Sequence, residues 1–144
     1  MSGVVTEHVF SGAIGKVFLA FSSYEDYPAY IPYVQSVKVL PPKVPGAACL
    51  ARYELNLIKQ FFYTLNIFHN EPNLIRWELD ESDLLKTSSG SWQLSAQGKT
   101  KTKAIYTVEV EPKMFVPKML VNQLTKTALP ATLEGFQQLI DAKK

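Results

Sequence analysis

The sequence predicts an α+β fold, and three observations carry that prediction. Segments with two-residue alternation or β-branched character recur through the middle of the chain, bounded by turns rich in proline, glycine or asparagine. The stretch after the first such segment switches to helical spacing. Residues from about Pro117 to Ala142 keep helical spacing almost to the end of the chain. A run of strands bracketed by helices is the pattern of an antiparallel sheet of about seven strands, with two short helices between strands 1 and 2 and a long C-terminal helix.

Taken in order, Val4–Phe10 is rich in β-branched residues and reads as a first strand. Ser11 stands where an N-cap would, ahead of Ile14, Val17, Phe18 and Phe21 at helical spacing. A second short helix begins at Ser23, with Asp26 three residues on, and Pro28 and Pro32 keep it short. Strands Val34–Leu40 and Ala47–Leu57 flank the connection Pro41 to Gly46. Gln60–Phe68 and Leu74–Leu79 flank Asn70-Glu71-Pro72-Asn73, and Ser91–Ala96 and Ala104–Glu111 flank Gln97-Gly98-Lys99-Thr100. Pro117 suits the first position of the long helix. Within it Val116, Leu120, Leu124 and Thr127 share a face, while Leu133, Phe136 and Ile140 share one roughly opposite. Pro130 between them is expected to kink the helix, so that its halves address different surroundings. No repeat, linker or low-complexity tract divides the chain, and one domain over residues 1–144 is expected.

Composition removes several function classes. Hydrophobic residues make up 47% of the chain, with 15 basic and 13 acidic side chains, which excludes a disordered or fibrous protein. A net charge of +2 does not supply the concentrated basic face of a nucleic-acid binder, so no nucleic acid is expected as partner. The N-terminus lacks a basic segment followed by an apolar run, and no apolar stretch approaches the length of a spanning helix. A lone cysteine, Cys49, cannot pair internally and reads as a small buried hydrophobe in a reducing compartment. Cytoplasm is the expected location.

Strand alternation indicates an apolar interior with a few polar points. Ile75, Trp77 and Leu79 oppose Arg76 and Glu78; Trp92, Leu94 and Ala96 oppose Ser91, Gln93 and Ser95. Ala104, Tyr106, Val108 and Val110 oppose Lys103, Thr107, Glu109 and Glu111. The strand before the Glu71-Pro72 turn admits two registers. An even turn sets Phe68, Asn66 and Thr64 beside Ile75, Trp77 and Leu79 on the inner face. An odd turn brings Phe61, Tyr63, Leu65 and Ile67 inside instead. The even register is the expectation adopted here, and it requires the Asn66 amide to find a partner or a ligand.

Candidates for chemistry are few. His8 and His69 lie far apart in sequence, no serine sits in a G-x-S-x-G elbow, and no zinc-ligand cluster exists, so neither catalytic residues, metal nor cofactor is expected. His69 reads as a surface turn residue and His8 as a strand-face residue. Tyr53, Tyr63 and Tyr106 are possible hydrogen-bond donors. Lys99, Lys101 and Lys103 recur at period two and read as a solvated hairpin tip that discourages edge pairing. Their alternative role is contact with RNA or, transiently, with anionic headgroups at a membrane surface.

Four stretches carry a family resemblance. Tyr24-Glu25-Asp26-Tyr27-Pro28-Ala29-Tyr30-Ile31-Pro32-Tyr33-Val34 resembles the segment D-x-E-x-Y-P-x-F-x-P of the polyketide cyclase/coenzyme-Q-binding family. Phe62-Tyr63-Thr64-Leu65-Asn66 and Leu85-Lys86-Thr87-Ser88-Ser89-Gly90-Ser91-Trp92 resemble its F-x-T-x-N and L-x-G-x-W stretches, which the ribosome-association toxin branch shares. Glu111-Pro112-Lys113-Met114-Phe115-Val116-Pro117 resembles the lead-in to the C-terminal helix of START lipid-transfer domains, with Met114 in place of a glycine. The resemblance implies the helix-grip fold, in which a curved sheet wraps around the long C-terminal helix with a cavity between, and it favours Thr64 and Asn66 inside. It further implies binding of a small hydrophobic ligand such as a lipid, isoprenoid quinone or polyketide. An aromatase/cyclase and a ribosome-interaction module are the alternatives. The expected ligand-binding residues are Phe62, Thr64, Asn66, Phe68, Trp77, Trp92, Leu94, Tyr106, Val108, Leu120 and Leu124, with Tyr27, Tyr30 and Ile31 as a portal lip.

Overall fold

Seven strands are present: β1 (Ser2–Ser11), β2 (Val34–Leu40), β3 (Cys49–Leu57), β4 (Lys59–Asn70), β5 (Leu74–Ser82), β6 (Leu85–Ala96) and β7 (Lys101–Pro112). The computed structural model describes residues 2–57 and 59–143; Met1, Ile58 and Lys144 lie outside the described residues. The strands form one antiparallel sheet in the order β1-β7-β6-β5-β4-β3-β2. From β2 to β7 each strand pairs with its successor, and β1 returns to pair along β7, from Ser2 opposite Val110 to Ser11 opposite Lys101. The sheet is open and curved, and with the C-terminal helix it forms a helix-grip fold.

Between β1 and β2 lie α1 (Ile14–Phe21) and a 3₁₀ turn, Tyr24–Ala29. Ser11 does not cap α1. It ends β1, where its backbone N–H and C=O are bonded by the Gln137 amide at 2.9 Å each. Gly12 makes the turn at φ 145°, a conformation open to glycine but costly for residues with a Cβ. Its backbone carbonyl accepts a bond from the buried Thr102 hydroxyl.

The long C-terminal helix expected from Pro117 is divided. A short α2 (Lys118–Asn122) runs into a π-helical turn, Gln123–Thr127, before α3 (Leu129–Ala142). Pro130 sits in the first turn of α3 rather than within a continuous helix, where its missing N–H leaves no intrahelical bond unmade. The Ala128 N–H reaches back five residues to the Gln123 carbonyl, so one residue is looped out. This removes about 100° of phase. On an ideal helix Leu124 and Phe136 would stand about 120° apart; with one residue looped out they fall within about 20°. Both face the same interior, so the expectation of two differently facing halves does not hold. Thr127, expected to share a face with Leu120 and Leu124, is exposed, and Thr125 is buried instead.

The β4–β5 register is the odd one. The turn spans Glu71 to Asn73, with Asn70 opposite Leu74 and Ile67 opposite Trp77. Tyr63, Leu65 and Ile67 therefore share the inner face with Ile75 and Trp77, while Phe62, Thr64, Asn66 and Phe68 point to the outer face. A bulge between Thr64 and Leu65 leaves Asp80 as the extra residue on β5. The core centres on Phe10, Phe21, Trp92 and Phe136. The Phe21 ring lies 5.3 Å from Phe10, 4.8 Å from Trp92 and 4.5 Å from Phe136.

Candidate functional site

A cavity of about 110 Å³ lies between the inner face of the sheet and the helices. β3 and β4 contribute Tyr53, Tyr63, Leu65 and Ile67; β5 and β6 contribute Ile75, Trp77, Ser88 and Trp92; β7 contributes Tyr106, Val108 and Val110. The 3₁₀ turn supplies Tyr24 and Tyr27, and the C-terminal helices supply Leu124, Thr132 and Phe136. One end is shut by the aromatic cluster around Trp92. At the other, Val108, Val110, Leu85 and Val121 pack together with Leu124.

Two classes of tyrosine line the space. The Tyr27 hydroxyl donates to the Phe21 carbonyl, Tyr33 meets Thr132 Oγ1 at 2.6 Å, and Tyr24 lies 2.7 Å from His69 Nε2. The hydroxyls of Tyr53, Tyr63 and Tyr106 have no hydrogen-bonding protein partner among the described residues, and they are not sealed in the packing. Burial, followed by neighbouring phenols, pushes all three pKa values up. They are therefore neutral donors at any physiological pH. Among the described residues no carboxylate, amine, imidazole or thiol lines the cavity. The arrangement can orient an oxygen acceptor within an apolar enclosure; it offers no group that titrates near neutrality.

Of the residues expected at the site, Trp77, Trp92, Tyr106, Val108 and Leu124 line the cavity, as do Tyr27 and Ile31. Leu94 and Leu120 are buried in the core but do not line it, and Tyr30 is half-buried beside it. Phe62, Thr64, Asn66 and Phe68 lie on the opposite face of the sheet. There Arg52 sits 4.3 Å over the Phe62 ring and Arg76 sits 3.9 Å over Phe68. Thr64 and Asn66 are nonetheless buried. Lys43 of the β2–β3 connection reaches Asp80 at 3.0 Å, so that connection extends across β4, which lies between β3 and β5. Thr64 donates to the same Asp80 carboxylate at 2.9 Å. Burial alone would raise the Asp80 pKa, but the bonds from Lys43 and Thr64, with the lysine charge, hold it below the ordinary carboxylate value. Asn66 Oδ1 has no partner.

Sequence reasoning placed none of Val34, Leu85, Ser88, Thr132 and Phe136 at the cavity, although they line it. His69, expected as a surface turn residue, is exposed, but it lies in β4 one residue before its end, with its ring against Phe18 and Tyr24. The hydroxyl pair Tyr33–Thr132 joins residues 99 positions apart, and no local pattern encodes such a contact. Among the described residues no group of three or more His, Cys, Asp or Glu is placed to hold a metal ion. No helix among them is long and apolar enough to cross a membrane.

A sheet gripping a helix around a tyrosine-lined apolar cavity defines the class: a START/polyketide-cyclase-like ligand-binding domain. The family profile described as polyketide cyclase / dehydrase and lipid transport matches residues 13–137, and the chain belongs to that family. No curated protein matches by sequence. Among solved structures, a START superfamily protein from Mycobacterium smegmatis superposes with a TM-score of 0.83 at 16% identity, over 96% of this chain and 97% of that one. A protein from Thermus thermophilus gives a TM-score of 0.83 at 18% identity over 98% of both chains. The Zhui aromatase/cyclase from a Streptomyces species gives 0.80 at 11% identity, covering 97% of this chain and 94% of that one. At these identities the likeness is one of fold.

Proposed function

We propose that the protein carries or sequesters a hydrophobic small molecule whose buried part is a single ring bearing carbonyl or hydroxyl oxygens, such as the head of an isoprenoid quinone or one ring of a polyketide. One observation carries the reading: three phenol hydroxyls, Tyr53, Tyr63 and Tyr106, without a protein partner among the described residues, in a cavity whose described lining carries hydroxyl and apolar groups but no charge. Pockets of this composition take affinity from apolar burial and orientation from a few polar groups. The volume sets the scale, since apolar cavities of about 150 Å³ accept a benzene ring. A cavity of about 110 Å³ is no larger than that, so it holds at most one ring, with any tail leaving toward the surface.

The test compares a short-chain benzoquinone with an alkylbenzene of matched size, on the parent protein and on Tyr63→Phe. The quinone is expected to lose about 0.5–1.5 kcal/mol on the variant, the net contribution of a typical hydrogen bond. The alkylbenzene is expected to bind both proteins equally. Equal quinone affinity for both would remove the Tyr63 hydroxyl from the site, and failure of both probes to bind the parent would remove the ring-sized ligand class.

A further inference from the structure

Apolar side chains on the outside of the molecule are scattered, with one exception. Val5 and Val9 are exposed on β1, Leu19 on α1 and Val39 on β2, whereas Met114, Phe115 and Met119 fall within one six-residue span from the β7–α2 connection into α2 and are 82%, 97% and 65% exposed. Phe115 is also the only non-glycine residue at positive φ among the described residues, at 68°. That conformation is costly for a residue with a large side chain, and an exposed ring recovers nothing from packing. The neighbours on either side anchor the connection: Lys113 N–H donates to the Leu84 carbonyl and Lys113 Nζ to the Ser82 carbonyl at 2.7 Å, while Val116 packs on the core. Met114 and Phe115 thus project from a fixed base.

Residues 112–119 carry two charges, Lys113 and Lys118, both positive. Lys86 and Lys118 are exposed on either side of it, while the acidic Asp83 and Glu111 accept hydrogen bonds from the Phe62 N–H and from Thr87 respectively. Leu85, opposite Pro112 at the base of the tip, lines the cavity, as do Val110 and Leu124 on the elements either side of the connection.

We propose that the β7–α2 connection is a membrane-docking finger for an anionic lipid surface. Phe115 and Met114 enter the boundary between headgroups and acyl chains, Met119 follows at its edge, and Lys86 and Lys118 meet lipid phosphates. Docking in this pose sets the Leu85–Val110–Leu124 end of the cavity against the bilayer, the end from which an apolar ligand would be exchanged. The finger does not depend on which ligand the cavity takes. Lys99, Lys101 and Lys103 begin at the other end of β7, roughly 35 Å away for eleven steps of strand, so this pose leaves the lysine hairpin in solvent.

The experiment is flotation of the full chain with vesicles of phosphatidylcholine alone and with phosphatidylglycerol added. The parent protein is expected to partition onto the anionic vesicles. Phe115→Ser should weaken that partitioning about tenfold or more, as expected for losing one buried phenyl ring. Phe115→Trp should bind, with a blue-shifted emission only when anionic vesicles are present. Equal partitioning of Phe115→Ser and parent overturns the proposal. So does a loss caused instead by the triple change Lys99→Gln, Lys101→Gln and Lys103→Gln. If the parent is a dimer without vesicles and Phe115→Ser is a monomer, the occupant is a second copy of the chain and the lipid assignment fails.

Discussion

Trp77 lies across the sheet from Gly90, and its indole occupies the space where a side chain at position 90 would stand. A methyl group built there overlaps both the indole and the backbone carbonyl of Thr107 on β7. Both contacts must be relieved at once: the β6–β7 ladder has to give way at Thr107, and the indole has to move toward the cavity it lines. Gly90→Ala is expected to destabilise the fold by about 1–3 kcal/mol, the usual cost of overpacking. It should also reduce the affinity of any ligand that fills the cavity beside Trp77. Urea unfolding and a ligand titration on the same preparation check both. A variant as stable as the parent would mean that Trp77 does not rest against Gly90.

Why Trp77 could be placed from sequence and Asn66 could not is a matter of contrast between faces. On β5, Arg76 and Glu78 alternate with Ile75 and Trp77; on β7, Glu109 separates Val108 from Val110. Each pattern has one reading. On β4 both faces carry large rings, Phe61, Tyr63, Leu65 and Ile67 against Phe62, Thr64, Asn66 and Phe68, and only the uncharged Thr64 and Asn66 mark the outer one, so the period-two contrast is weaker than on β5 or β7. The choice rests on a three-residue turn and on the bulge at Asp80, and neither leaves a compositional mark. The outer aromatic rings are reconciled with solvent by arginines from neighbouring strands, a cross-strand arrangement visible only once the register is known. The π-turn is illegible for a similar reason. One looped-out residue re-phases Leu124 and Phe136 without altering the kinds of residue used.

The corrected register changes what Asn66 should do. Its amide lies on the outer face, buried, with Oδ1 unpartnered. An unsatisfied buried polar group costs about 1–3 kcal/mol, and replacing it with an apolar group of similar shape recovers part of that. Asn66→Leu is therefore expected to leave ligand affinity unchanged and to raise stability by about 1 kcal/mol, read as a higher urea midpoint at constant slope. Weakened binding of an oxygenated ligand, with a hydrocarbon probe unaffected, would put the amide in the cavity and restore the even register.

The last prediction concerns pH. His69 is exposed along β4, but its ring packs edge-on to Phe18 at 5.3 Å, and Nε2 lies 2.7 Å from the Tyr24 hydroxyl. Burial lowers its pKa, and the nearby Glu71 offsets only part of that. A histidine with a depressed folded-state pKa takes up its proton more readily when unfolded, at a pKa of about 6.5. Between the two values the unfolded chain binds more protons, so acid favours it. The contribution of His69 to stability is therefore complete above about pH 6.5 and is lost as pH falls through the folded-state value. His69→Gln keeps a hydrogen-bonding side chain next to Tyr24 but does not titrate. The parent's urea midpoint should fall as the pH is lowered from 7 towards 5, and the variant's should fall less over the same interval. Because Tyr24 lines the cavity, ligand affinity should weaken in the same window in the parent alone. Identical pH profiles for the two proteins would show that His69 titrates alike in the folded and unfolded chain, and that Tyr24 holds its place without it.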